Sequence, residues 1–326
     1  MAWLVPALAS LLAGCGGDAG TPVTGRPSTG YNVPRTAWGD PDLQGMWPID
    51  KLNGTPVQRP ESFGERRLLT DEEYAERVDR LRGLNARYDE EIASNKMGIG
   101  HWAEMGEPNR LTSLMVEPAN GRVPPLTAEG ERRSAAMTSS WSNIPFDKAS
   151  DFNALDRCIT RGMPASMLPF MYNSGIEIMQ APGYVVIRLE LVHETRIVPV
   201  DDRPPLEPEV VQWLGESRGR FEGDTLVIET TNFNGESPML IVGPGAKPLP
   251  TSRELHIVER LTRVADDTID YEITVEDPVV LTQPWKAAFP LQRDDDYRMF
   301  EYACHEDNSA IRNFIQASRF ERRTHP

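Results

Sequence analysis

From residue 175 onward hydrophobic and polar positions alternate, and a period of two marks strands with one buried face. The alternation predicts strands at 175–180, 184–193, 195–200, 217–222, 224–231, 255–264, 267–276, 285–291 and 297–304. Ala181-Pro182-Gly183, Glu222-Gly223-Asp224 and Asp266-Asp267 supply the turn chemistry between them. Such short connections join antiparallel neighbours, because a parallel crossover needs a dozen or more residues. The expected fold is therefore mainly β: an up-and-down barrel of lipocalin or calycin-like architecture, or a curved meander, over 166–305. A barrel of about eight strands has room inside for side chains or for one small ligand.

Elsewhere the pattern differs. Residues 38–69 mix aromatics and turn-formers without a steady period and read as an irregular strap anchored by Trp38, Leu43, Met46 and Trp47. Thr70 and Glu73 form a capping box, and Tyr74, Val78, Leu81, Tyr88 and Ile92 follow at helical spacing, predicting a helix over 71–94. Residues 96–165 return to loop chemistry apart from a short helix at 127–138, so 38–165 is expected to pack on the barrel. After Cys304, Asn308 caps a C-terminal helix within 306–326 whose Ile311, Phe314 and Ile315 should face the barrel wall.

The first fourteen residues, MAWLVPALASLLAG, carry no charged side chain and are too short to span a bilayer, which takes roughly 20 residues. They suit a signal peptide, and Leu12-Ala13-Gly14-Cys15 has the form of a lipobox that would make Cys15 the lipidated mature N-terminus. The usual basic stretch before the apolar run is missing. Gly16 and Gly17 favour the outer membrane, on its periplasmic side, and residues 15–37 read as a flexible tether. Export brings an oxidising compartment, where Cys158 and Cys304 form an even pair suited to a disulfide. The competing reading is a nucleophilic Cys304 beside His305.

Composition narrows the function. A net charge of −15 repels phosphate backbones, so nucleic acid is not an expected partner. There are 28 prolines in 326 residues, well above the usual share of roughly 5%, which excludes a helical bundle.

The segments DPDLQGMW (40–47), NGRVPPLT (120–127), APGYVVI (181–187), HETRIVPVD (193–201), WLGESRGRFEGDTLVIETTNFN (213–234), VEDP (275–278), Pro284-Trp285 and YACHE (302–306) together resemble a family of exported bacterial proteins known mainly as hypothetical proteins. The likeness covers roughly 38–320. Phe221 stands where the pattern has Trp, and Glu194-Thr195 where it has Asp-Ala. The resemblance implies an exported protein and carries no activity with it.

Candidate chemistry centres on the histidines. If the odd face of 184–193 points inward, His193 follows Val185, Ile187, Leu189 and Leu191 into the barrel, with Glu194 and Arg196 close by. An imidazole there can move protons, or can simply bond a backbone carbonyl in the core. His305 and Glu306 offer a second acid–base element, although strand neighbours point to opposite faces. Arg218 and Arg220 could clamp a carboxylate or pair with surface acids. Trp213, Phe221, Trp285 and Tyr302 could line an aromatic cavity or pack the core. No HExxH, paired CxxC, EF-hand, GxSxG, GxGxxG or Walker pattern occurs, so no metal and no cofactor are expected.

The reading these features support is an anchored lipoprotein whose barrel binds a small apolar or aromatic molecule. The alternatives are a cofactor-free acid–base enzyme (isomerase, lyase or hydrolase) with His193 as base, and an envelope scaffold.

Overall fold

The computed structural model describes residues 30–240, 248–306 and 308–324. The expected signal peptide, Cys15 and most of the tether lie outside the described residues. In chain order the strands are β1 (Gly45–Met46), β2 (Met115–Glu117), β3 (Ile176–Ala181), β4 (Tyr184–Leu189), β5 (Thr195–Pro199), β6 (Glu216–Glu222), β7 (Thr225–Thr231), β8 (Pro238–Leu240), β9 (Leu249–Pro250), β10 (His256–Ala265), β11 (Thr268–Glu276) and β12 (Trp285–Gln292). The helices are α1 (Asp71–Ala93), α2 (Ala128–Ala136) and α3 (Ala310–Thr324).

The ladders between these strands are all antiparallel. They form a sheet of order β1-β3-β4-β5, a second of order β2-β12-β11-β10-β7-β6, and the β8-β9 pair. Alternation does what it predicts in β10 and β11: Ile257, Leu261, Ile269, Tyr271, Ile273 and Val275 are buried, and the residues of opposite register, from Val258 to Thr274, are only partly so. Both large sheets share one core. Leu43 and Trp47 of the strap, Ile178, Ile187 and Val198 of the first sheet, and Ile228, Leu261 and Phe289 of the second all belong to it. Trp38 does not; it is part-exposed, its indole nitrogen bonded to Asp40.

Among the described residues the strands do not close into a barrel. No ladder joins β5 to β6. The two meet through side chains instead: a Cβ on Gly219 of β6 would lie 2.9 Å from Val198 Cγ1 and 3.2 Å from Val200 Cγ2. The chain between them, 200–215, holds three prolines, which donate no ladder hydrogen bond. A seam is left between the sheets.

Two further expectations change. The strand at 184–193 stops at Leu189, because Val192 and His193 adopt positive φ (60° and 43°) and His193 N closes a turn onto the Glu190 carbonyl. The ninth strand at 297–304 is absent. β2 already occupies the free edge of β12, and the Arg293–Asp296 run folds into a turn in which Tyr297 N bonds Asp294. The four short strands β1, β2, β8 and β9, of two or three residues, are too brief to show a period.

Helix α1 matches its prediction: Thr70 accepts from Glu73 N, and the Glu73 carboxylate accepts from Thr70 N. Thr70→Ala is expected to cost about 1 kcal/mol in urea unfolding, with amide protection falling first in the opening turn; unchanged protection there would show that the cap is idle. Helix α3 also forms, but it does not reach the sheets as expected. Phe314 packs on Phe146 and Phe152 of an irregular loop, and no residue of α3 is fully buried.

Cys158 and Cys304 are bridged, with Cα atoms 5.5 Å apart. A free Cys304 thiolate is thereby removed from consideration. The bridge ends in the turn segment beyond β12, not in a last strand.

Candidate functional site

The site begins with an anomaly of patterning. On β5 the inward residues are Arg196 and Val198, and on β10 Glu259 sits between Ile257 and Leu261 on the core face. Both charges are almost wholly buried. Arg196 Nη1 donates to Glu259 Oε1 at 3.0 Å and Nη2 donates to Oε2, a bidentate pair across the two sheets. Hydroxyls complete the network: Nη2 also donates to Ser217 of β6 at 3.1 Å and to Thr230 of β7 at 3.3 Å, while Tyr271 of β11 donates to Glu259 at 2.8 Å. Burial works against the Arg196 charge, yet Glu259 more than reverses this and holds the guanidinium protonated. Burial and the Glu259 charge push the Tyr271 phenol well above its ordinary value, so it stays protonated and donates to Glu259. One atom is left over: Arg196 Nε is buried and has no hydrogen-bond partner.

Outside this network, along the seam, lies a groove of about 740 Å³. That is within the roughly 300–1,000 Å³ typical of small-molecule sites. Ile197, Leu206, Val211 and Trp213 give it an apolar surface, and Arg203 and Arg218 stand at its rim. Arg196 and Ser217 also belong to its lining, so the groove meets the buried network through the seam. Ile197 is 61% exposed and Leu206 42%, and both lie in the one groove, where together with Trp213 they form an apolar surface rather than scattered contacts. Arg157 stacks over Trp213 at 5.8 Å from the ring centroid. The Arg203 guanidinium holds the Asp201 carboxyl low, at about 2, so that pair stays ionised over the physiological range. Arg218 is tied to the carbonyls of Pro204 and Arg203 and to Glu216 at 3.5 Å.

Of the residues singled out in the sequence, Arg196, Trp213 and Arg218 meet in this groove. The others are placed elsewhere. His193 is exposed, and its Nδ1 donates to the Tyr302 carbonyl at 2.8 Å rather than pointing into a cavity. Glu194 is buried, accepting from Thr160 Oγ1 at 2.6 Å and Arg161 N at 2.8 Å. His305 and Glu306 face solvent, and no hydrogen bond joins either to His193 among the described residues. Arg220 pairs with Glu222 and Glu229 on the sheet surface. Phe221 packs against the core, Trp285 is buried within it, and Tyr302 is half-buried beside Tyr172. No group of three or more metal-ligating side chains occurs among the described residues.

Sequence reasoning missed Glu259, Tyr271, Ser217 and Thr230. A signal for the first was present: Glu259 occupies the inward register of a strand that otherwise alternates cleanly, and a charge in that register needs a partner.

The class these features define is a disulfide-linked, mainly antiparallel β protein with an ion pair buried between two sheets and a groove along their seam. Set beside known proteins, the chain matches no family model, no curated protein and no solved structure. No helix among the described residues is long and apolar enough to cross a membrane.

Proposed function

We propose that the groove between β5 and β6 binds a small apolar or aromatic molecule, with Trp213 as its aromatic wall. The observation that carries this reading is the groove itself, where exposed Ile197 and Leu206 adjoin Trp213 above a buried guanidinium. Among the described residues the antiparallel strands form no closed lipocalin-like barrel, so this reading places the ligand outside any barrel interior. The interior is filled by the core and the Arg196–Glu259 network, and the ligand sits at the seam. Binding is preferred to acid–base catalysis because His193 and His305 face solvent and neither lines the groove.

The same reading makes the chain an exported lipoprotein, resembling the bacterial family introduced above. It would be cleaved before Cys15, lipidated there and held at the periplasmic face of the outer membrane. Its support is the apolar start, the lipobox form of 12–15 and a disulfide suited to an oxidising compartment. Metabolic labelling with a fatty acid tests it: label should enter the wild type and be lost in Cys15→Ser, and an unlabelled wild type would refute the anchor.

The groove is tested by calorimetric titration with 2-naphthol on the wild type and on Trp213→Ala. Weakening by about tenfold or more, equivalent to 1.4 kcal/mol, is expected in the variant. Equal affinity in both proteins, or no binding to the wild type, would remove the groove as a site for such molecules.

A further inference from the structure

A second polar cluster lies just beyond the C-terminal end of β4, and none of its three ionisable side chains lines the groove. Tyr297, in the turn segment after β12, places its hydroxyl oxygen 2.8 Å from Glu104 Oε1 and 2.7 Å from Glu190 Oε2. Both contacts are hydrogen-bond distances, but a phenol has one proton to give. The remaining partners decide where it goes. Glu190 is 2% exposed and accepts from Asn173 Nδ2 (3.0 Å), Phe300 N (2.8 Å) and Gly175 N (3.2 Å), so its carboxyl is surrounded by donors. Besides Tyr297, Glu104 is met by a single residue, Ser174, whose N lies 3.1 and 3.3 Å from its two oxygens and whose side chain also bonds it. The balanced arrangement gives the Tyr297 proton to Glu190 and requires Glu104 Oε1 to donate a proton of its own to the Tyr297 oxygen.

We propose that Glu104 is a neutral carboxylic acid in the folded protein and that Glu104, Tyr297 and Glu190 form a proton-dependent latch holding the 294–304 segment against the first sheet. Loss of the Glu104 proton sets a second carboxylate against the lone pairs of the phenol oxygen, with no other proton in the chain of bonds to relieve it. The latch therefore closes with one proton bound and loosens when that proton leaves.

The surroundings are consistent with this. Burial raises Glu104 above its ordinary value and the Glu190 charge adds to the rise, against the lowering effect of its bonds to Ser174 and Tyr297. Burial and both carboxylates raise the Tyr297 phenol, keeping it protonated. Charged and titratable groups around the cluster are Asp50, Lys51, Glu107, Asp294, Asp295, Asp296, Arg298 and Glu301, with His193 bonding the Tyr302 carbonyl of the same segment. Lys51 faces Glu107 at 3.6 Å, Asp50 faces Asp294, and Arg298 is exposed. Beyond Asn173 and Gly175, the buried Arg161 bonds the carbonyls of Leu168 and Pro169.

The sign of the pH dependence follows. A carboxyl raised on folding binds its proton more tightly in the folded state. Its contribution is full below the unfolded value, near 4.3, and is lost as pH rises through the folded value. Most paired carboxylates behave in the opposite way.

The test compares Glu104→Gln with Glu190→Gln in the full chain, by urea unfolding between pH 5 and 8. A glutamine at 104 still accepts from Ser174 and donates its amide hydrogen to Tyr297, so this variant should remain folded and lose the downward slope. A glutamine at 190 points NH₂ at groups that are themselves donors, and should lower the folding constant at pH 6 about tenfold more than Glu104→Gln. An unfolded Glu190→Gln beside a folded Glu104→Gln is the same asymmetry at its limit. Equal effects, or greater damage from Glu104→Gln, overturn the assignment. The infrared difference spectrum, wild type minus Glu104→Gln at pH 6, gives a separate readout. A protonated-carboxyl band present only in the wild type is expected, and its absence refutes the latch.

Discussion

Replacing Glu259 by glutamine is expected to destabilise the protein by about 3–5 kcal/mol, because it strands the Arg196 guanidinium unpaired in the core. The cost does not measure the worth of the pair. Two charges removed from water repay little of their desolvation even in good geometry, and apolar replacements of similar volume are often neutral or stabilising. The combined variant Arg196→Met, Glu259→Leu, Tyr271→Phe should therefore recover most of the loss. Ser217 and Thr230 remain satisfied in it, since their hydroxyls already bond each other at 3.0 Å. Urea unfolding of the single and combined variants makes the comparison. If the single variant costs under about 1 kcal/mol, the pair is not desolvated as its burial implies. If the combined variant is stable but no longer binds 2-naphthol, the network serves the groove more than the fold.

The second large effect belongs to the disulfide. Removing both cysteines as Cys158→Ala, Cys304→Ala should cost about 2–5 kcal/mol. The bridge spans 146 residues, and the entropy restored to an unfolded loop of that length approaches the upper end of the range. The loss should also be local in its first appearance. Cys304 lies in the turn segment beyond β12, joined to the body by the bridge, by the bonds of Tyr297 and Phe300 to Glu190, by the Tyr297–Glu104 contact and by His193 on the Tyr302 carbonyl. Hydrogen exchange should accelerate at 297–306 before it changes in β10 and β11, whose ladder runs from His256↔Glu276 to Ala265↔Thr268. A double variant within about 0.5 kcal/mol of the wild type, with unchanged exchange at 297–306, would show that the bridge braces nothing.

Local signals account for what could be read directly. β10 and β11 announce themselves because each alternates over nine or ten residues and Asp266-Asp267 supplies the turn between them. α1 is visible because its cap, Thr70 with Glu73, and its apolar stripe lie within one stretch of chain. The even pair of cysteines, Cys158 and Cys304, likewise pointed to a bridge once an oxidising compartment was inferred. His193 shows where such reasoning ends. Its place in the odd-numbered register is correct only while the strand continues, but β4 ends at Leu189 and positive φ at Val192 and His193 turns the chain away.

What the sequence determined by itself is the mainly β character, the antiparallel hairpins and the helix starts, since period, turn residues and caps act between near neighbours. Tertiary structure alone decided the rest. Alternation assigns a side chain to a face but does not say what stands opposite, so Arg196 and Glu259, 63 residues apart, became partners only when two sheets packed. The same holds for Tyr297 and Glu104, 193 residues apart. The seam that forms the groove has this origin too. Whether a strand edge is paired depends on which other strand reaches it first; β2 takes the edge of β12, while β5 and β6 meet through Val198 and Gly219 and leave their edges unladdered.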